Sequence, residues 1–136
     1  MSDLVILETT EQVIADSTFR LAGVYVWATV REVRDDGRHL MIVRDEKETT
    51  VVTSPENLAS LDVLDVNRDR WVLIAIDCAS PFYCVGFIAK IAARLSAAGI
   101  DILTVSTFSR DLFFVREEDG PRAAGVLRAI GFAEGS

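Results

Sequence analysis

The clearest hydrophobic pattern lies in the second half of the chain. Trp71-Val72-Leu73-Ile74-Ala75-Ile76 is an unbroken apolar run closed by Asp77, as expected of a strand buried on both faces or central in a sheet. Ser80-Pro81 then marks a turn or a helix entry. Between residues 83 and 98, Val85, Ile88, Ile91, Ala92 and Leu95 recur at helical spacing, with Lys90 and Arg94 on the outer face. Gly99 stands where a left-handed residue would end that helix. Residues 100–107 predict a second strand and 111–116 a third, joined through Phe108-Ser109-Arg110 as a hairpin. Gly120-Pro121 opens another helix, with Pro121 suited to its first position. Ala124, Leu127 and Ile130 form its apolar face, and Gly131 is its stop.

The order β-α-β-β-α is one strand short of a ferredoxin-like βαββαβ unit. Only residues 132–136 follow the last helix, which is barely a strand. The missing edge is therefore expected from the first half. There the candidate strands are residues 4–7, 19–28 (with a break at Gly23), 40–43 and 50–53. A short helix is expected near residues 29–34, followed by the turn Asp35-Asp36-Gly37. Ser54-Pro55-Glu56-Asn57 opens a second short helix through Leu61. No Ser/Gly-rich or Pro-rich linker separates the halves. The boundary is a tight one near Asn67-Arg68-Asp69-Arg70, dividing the chain into residues 1–68 and 69–136.

Composition narrows the function classes. Of 136 residues half are hydrophobic, enough for a real core, which excludes disorder. The net charge of −7 argues against nucleic acid, whose phosphates need a basic face. It argues equally against anionic membranes. The longest charge-free stretch, residues 78–89, is too short for a membrane span and contains Pro81. Asp3, Glu8 and Glu11 occupy the places where a signal peptide would be basic or apolar. A soluble, cytoplasmic protein is expected.

Catalytic chemistry has few candidates. Cys78 and Cys84 form no CxxC and no metal-ligand spacing, and are expected to be free thiols. His39 is the only histidine, expected as an exposed residue at a strand start. One histidine leaves no room for a His-rich metal centre. No GxSxG, P-loop, GxGxxG or HExxH motif occurs. The expectation is a protein without catalytic activity, metal or cofactor.

The segment from Trp71 to Gly131 resembles the ACT-domain family, closest to its small tandem-ACT proteins and amino-acid-sensing modules. The resemblance rests on Gly86-Phe87-Ile88-Ala89-Lys90-Ile91, then Leu95, then Gly99-Ile100-Asp101-Ile102. It continues through Ser106-Thr107-Phe108-Ser109-Arg110-Asp111, Val115 and Glu117 without insertion. One position departs: where this branch often has Thr before the motif's Asp, the chain has Arg110, a long cation beside the expected pocket. Over residues 29–69 the likeness is weaker, as for an incomplete first unit. The resemblance implies an α+β fold of two ferredoxin-like ACT units with antiparallel sheets and helices on one face, the first unit degenerate.

It also implies an effector between two units, near the loop after the first strand and the start of the first helix. Elementary physics favours the same place, because a helix N-terminus presents unpaired N–H groups and partial positive charge to a carboxylate. The expected amides are those of Cys84, Val85, Gly86 and Phe87, with Gly86 letting a ligand approach the backbone. Gly86 would equally serve close packing of helix on sheet. Ser106 and Thr107 either reach the ligand or cap the hairpin. Asp111 either receives an α-amino group or pairs with Arg110 or its own turn amides. Ile100 completes the expected ligand-binding set.

The leading expectation is thus a regulatory module binding a small amino-acid-like molecule. It would be a homodimer that acts as a free sensor or on an enzyme or regulator in trans. The competing expectation is an interaction module that keeps the fold, fills the pocket with its own side chains and serves dimerisation.

Overall fold

Trp71–Asp77 (β5, numbered in chain order) is the strand around which the other elements are arranged, and its apolar run has a direct cause. Val72, Ile74 and Ile76 belong to one core cluster, whereas Trp71, Leu73 and Ala75 belong to another. Strand side chains alternate between faces, so a strand with a core on each side has no polar position to offer. The computed structural model describes residues 9–78 and 86–135.

The elements before it are α1 (Thr10–Ala15), β1 (Thr18–Val30), β2 (Met41–Arg44), β3 (Thr49–Thr53), a 3-10 helix (Pro55–Ser60) and β4 (Val63–Val66). After it come α2 (Phe87–Ala97), β6 (Leu103–Ser106), β7 (Asp111–Arg116), a 3-10 turn (Glu117–Asp119), α3 (Gly120–Ile130) and β8 (Ala133–Glu134). The result is a mixed α+β fold on a curled sheet, antiparallel except where β8 runs parallel to β1.

β1 belongs to both halves of that sheet. Its first part, Thr18 to Tyr25, pairs with β5, which pairs with β7, and β7 with β6. The extra edge expected from the first half is this segment, with β8 on its outer side. Its second part, Val26 to Val30, pairs with β3 on one side and β4 on the other. The expected break at Gly23 is instead an irregularity in the register between Leu21 and Val24, where Gly23 takes φ 106°. A bulge of this kind bends and twists a strand without ending it.

The two cores lie on opposite faces of the β5 sheet. Val13 and Ile14 of α1, Phe87, Ile91 and Leu95 of α2, and Ala123 and Leu127 of α3 pack on one face with Phe19, Ile74, Ile76 and Phe113. On the other face, Trp71, Leu73 and Phe114 pack with Tyr25, Trp27 and Leu40. β1 therefore carries the first-half sheet round onto the face that the helices leave uncovered.

Several expectations need correction. No helix forms at residues 29–34. β1 runs on through Val30, since Val26, Ala28 and Val30 are buried with the period of a strand and pair with β3 or β4. α2 buries Phe87, Ile91 and Leu95, while Ile88 is 41% exposed, so the face is rotated from the one expected. β6 starts only at Leu103, and Ile100 joins the helix-side core. His39 is half-buried rather than exposed. Its Nδ1 lies 2.8 Å from Oγ1 of the buried Thr53, which also accepts from Asn57 Nδ2 at 2.8 Å. The candidate strand at residues 4–7 lies outside the described residues. α1 and β4 have no counterpart in the sequence reading.

Candidate functional site

β5 ends at Asp77 opposite Thr18, and the start of α2 lies at that end, where Phe87 packs on Phe132 next to Ala133, the β8 partner of Thr18. Gly86 is the N-cap of α2 with φ 85°. Among the described residues a Cβ built there would meet only Thr10 Oγ1 at 3.7 Å, an ordinary contact. Glycine is therefore required by the left-handed backbone, not by crowding against the sheet. The first helical bond runs from Lys90 N–H to the Gly86 carbonyl at 2.9 Å, and the cap residue has no side-chain oxygen for the N–H groups before it. Lys90 Nζ also donates to Glu11 Oε1 at 2.8 Å, fastening α1 to this helix. That bond holds the Glu11 carboxyl below its usual range.

Phe87 is buried, with its ring edge-on to Phe132 at 5.9 Å, so only its backbone is available to a ligand. Ile100 is buried at the opposite end of α2, where its N–H donates to the Leu95 carbonyl at 3.0 Å. An eleven-residue helix, about 16 Å long at 1.5 Å per residue, stands between it and Gly86. The structure does not bring Ile100 together with the helix start. Cys84 and Val85 lie outside the described residues, and Cys78 is a free thiol.

Ser106 and Asp111 are directly opposite each other in the β6–β7 ladder, and Asp111 is opposite Ile76 in the next ladder. Register partners share a face, so both polar residues continue the helix-side row of Ile76 at the end where α2 begins. Ser106 Oγ donates to Asp111 Oδ1 at 2.8 Å. Thr107 closes the turn on itself: its N–H donates to the Arg110 carbonyl at 2.8 Å, and its Oγ1 accepts from Arg110 N–H at 3.1 Å. Arg110 reaches back to Asp77, Nε to Oδ1 at 3.0 Å. Of the alternatives left open by the sequence, Thr107 thus caps its hairpin and Asp111 pairs with Ser106 rather than Arg110. Phe108 at the tip is 84% exposed.

The Asp77–Arg110 pair is what sequence reading missed. Asp77 was legible only as the residue ending an apolar run. An acid at the end of a buried central strand, beside a cation in the hairpin turn, was the available signal. Among the described residues no group of three or more His, Cys, Asp or Glu is placed to hold a metal. No helix among them is long and apolar enough to cross a membrane.

Comparison with known proteins bears on the fold. Residues 66–129 match the family model described as ACT domain. No curated protein matches the chain. A protein of unknown function from Vibrio cholerae, described as a possible transport protein, superposes with a TM-score of 0.74 at 24% identity, covering 89% of this chain and 94% of its own. A protein from Agrobacterium tumefaciens gives 0.67 at 25% identity, covering 87% and 91%. The ligand-free regulatory subunit of aspartate kinase from Thermus thermophilus gives 0.56 at 10% identity, covering 84% and 95%. At these identities the likeness is one of fold.

Proposed function

We propose that the protein, whose residues 66–129 match the ACT domain model, is a non-catalytic regulatory sensor that binds a small amino-acid-like effector at the start of α2. The observation that carries this reading is the shared row of Ser106 and Asp111 on the helix side of the sheet, at the end where Gly86 opens α2. An amino acid needs donors for its carboxylate and an acceptor for its ammonium group. The α2 N–H groups supply the first and the Asp111 carboxylate the second. Arg110 is neutralised by Asp77.

The regulatory role follows the Thermus neighbour, a regulatory subunit of an enzyme. The partner regulated in trans is not specified by the site. Residues 1–68 supply the second, degenerate unit. Support for this comes from the first-half strand order β2-β3-β1-β4, which is the ferredoxin-like order with one helix replaced by loop and the other by a 3-10 helix. β1 is then the first strand of one unit and the edge strand of the other.

A thermal-shift screen of the twenty amino acids tests the reading. A ligand at 100 times its Kd stabilises by about 2.7 kcal/mol, which raises the midpoint by several degrees. A flat response to all twenty would overturn it. The second reading, a dimerisation module without ligand, is favoured by the exposed apolar residues Val43, Leu64 and Leu103 on outer strands. Both readings give a homodimer, so light scattering at the 15.0 kDa monomer mass at micromolar concentration would count against each.

A further inference from the structure

We propose a second binding site, in the first-half sheet, for a small organic cation carrying an ammonium or guanidinium group. A cleft of about 230 Å³ opens there between β3 and β4, with β1 as its floor. Thr29 is opposite Thr50 on one side and Asp65 on the other, a polar row across three neighbouring strands. Trp27, two residues along β1 on the same face, walls one end, and Glu48 and Asn67 flank the row. The Trp27 ring also makes T-shaped contacts with Phe114 and Trp71.

Three features select a cation of this kind. Glu48 and Asp65 are carboxylates that form no ion pair among the described residues, and no Lys or Arg is among the residues lining the cleft. Arg44 and Lys47 line the adjoining depression with Glu48, and Arg31 there is held by both oxygens of Asp62. Asp65 spends one oxygen on the adjacent Val66 N–H and keeps the other. An aromatic ring lining a cleft with two carboxylates favours a diffuse organic cation. Two carboxylates fall short of the six to eight oxygens a calcium ion takes, and among the described residues no third acid joins them to hold a metal. The cleft volume is below the usual range of drug-sized pockets, which fits a guanidinium or short diamine.

The site is independent of the one at α2, and the test separates them. Agmatine and putrescine are titrated into uniformly labelled protein while backbone amides and the two indole N–H signals are followed. Saturable shifts are expected at Trp27, Thr29, Thr50 and Asp65, at least tenfold weaker in Glu48→Gln and in Asp65→Asn and unchanged in Asp111→Asn. Both cleft substitutions are at exposed side chains and leave the fold intact. Shifts reproduced by sodium chloride at equal ionic strength, equal affinity in the cleft variants, or shifts confined to Gly86 and Ser106–Asp111 would each overturn the proposal.

Discussion

The Trp27 ring meets the Phe114 ring edge-on, with centroids 4.8 Å apart and planes at 87°. Trp27 comes from the half of β1 that pairs with β3, and Phe114 from the strand beside β5. The contact therefore joins the first-half sheet to the second, and Trp71 joins the same group at 6.1 Å from Trp27.

Loss of that ring is expected to weaken both halves together. Trp27→Ala should cost about 3 kcal/mol, the low end for a large aromatic because the residue is only half-buried. Urea unfolding followed by circular dichroism should show one transition at a lower midpoint. Two separated transitions would mean that β1 does not couple the sheets.

Gly86 separates backbone strain from ligand access. Gly86→Ala should destabilise by about 1 kcal/mol, because a Cβ is disfavoured at φ 85° although no described residue crowds it. Gly86→Asn, tolerant of that conformation, should recover most of the loss. If effector binding fails in both variants while the folded fraction holds, the side chain blocks the helix start. Unchanged affinity in both removes Gly86 from the site.

Asp111→Asn should leave stability within about 1 kcal/mol, since the carboxylate's partner is a single exposed hydroxyl. It should weaken an ammonium-bearing effector by about 1 to 3 kcal/mol, the range for a hydrogen bond to a charged group. Calorimetric titration beside the parent protein measures both. An equal loss for a purely anionic ligand would contradict the assigned role.

One carboxyl gives a pH signature. Arg38 donates Nε to Asp36 Oδ2 at 2.8 Å, and this bond, with the Arg38 N–H on the other oxygen, holds the acid down at about 2. A depressed acid contributes stability above its unfolded value, and that contribution is lost as pH falls from there towards about 2. The pair is exposed, so the effect is small and screened by salt. A carboxyl titration by NMR should show Asp36 rising towards the ordinary range in Arg38→Ala, and no change there would sink the assignment.

The sequence by itself determined the elements whose physics is local. An unbroken apolar run demanded a strand with a core on each side. Gly99 and Gly131 marked helix ends, and the spacing of residues 111–116 placed β7. The motif around Gly86 and Asp111 pointed to the end of the sheet on which the proposed site rests. α1 was readable in principle, because Thr9-Thr10-Glu11-Gln12 has the spacing of a capping box and Thr9 Oγ1 does accept from Gln12 N–H. Only tertiary structure decided that β1 serves two sheets, because its partners at 49–53, 63–66, 71–77 and 133–134 are distant in sequence. Nor was the helix absent at 29–34 legible: ladder bonds on both sides of β1 outweighed any local preference there. The orientation of Asp111 and the Asp77–Arg110 pair depended on register between strands, which a residue's sequence neighbours do not encode.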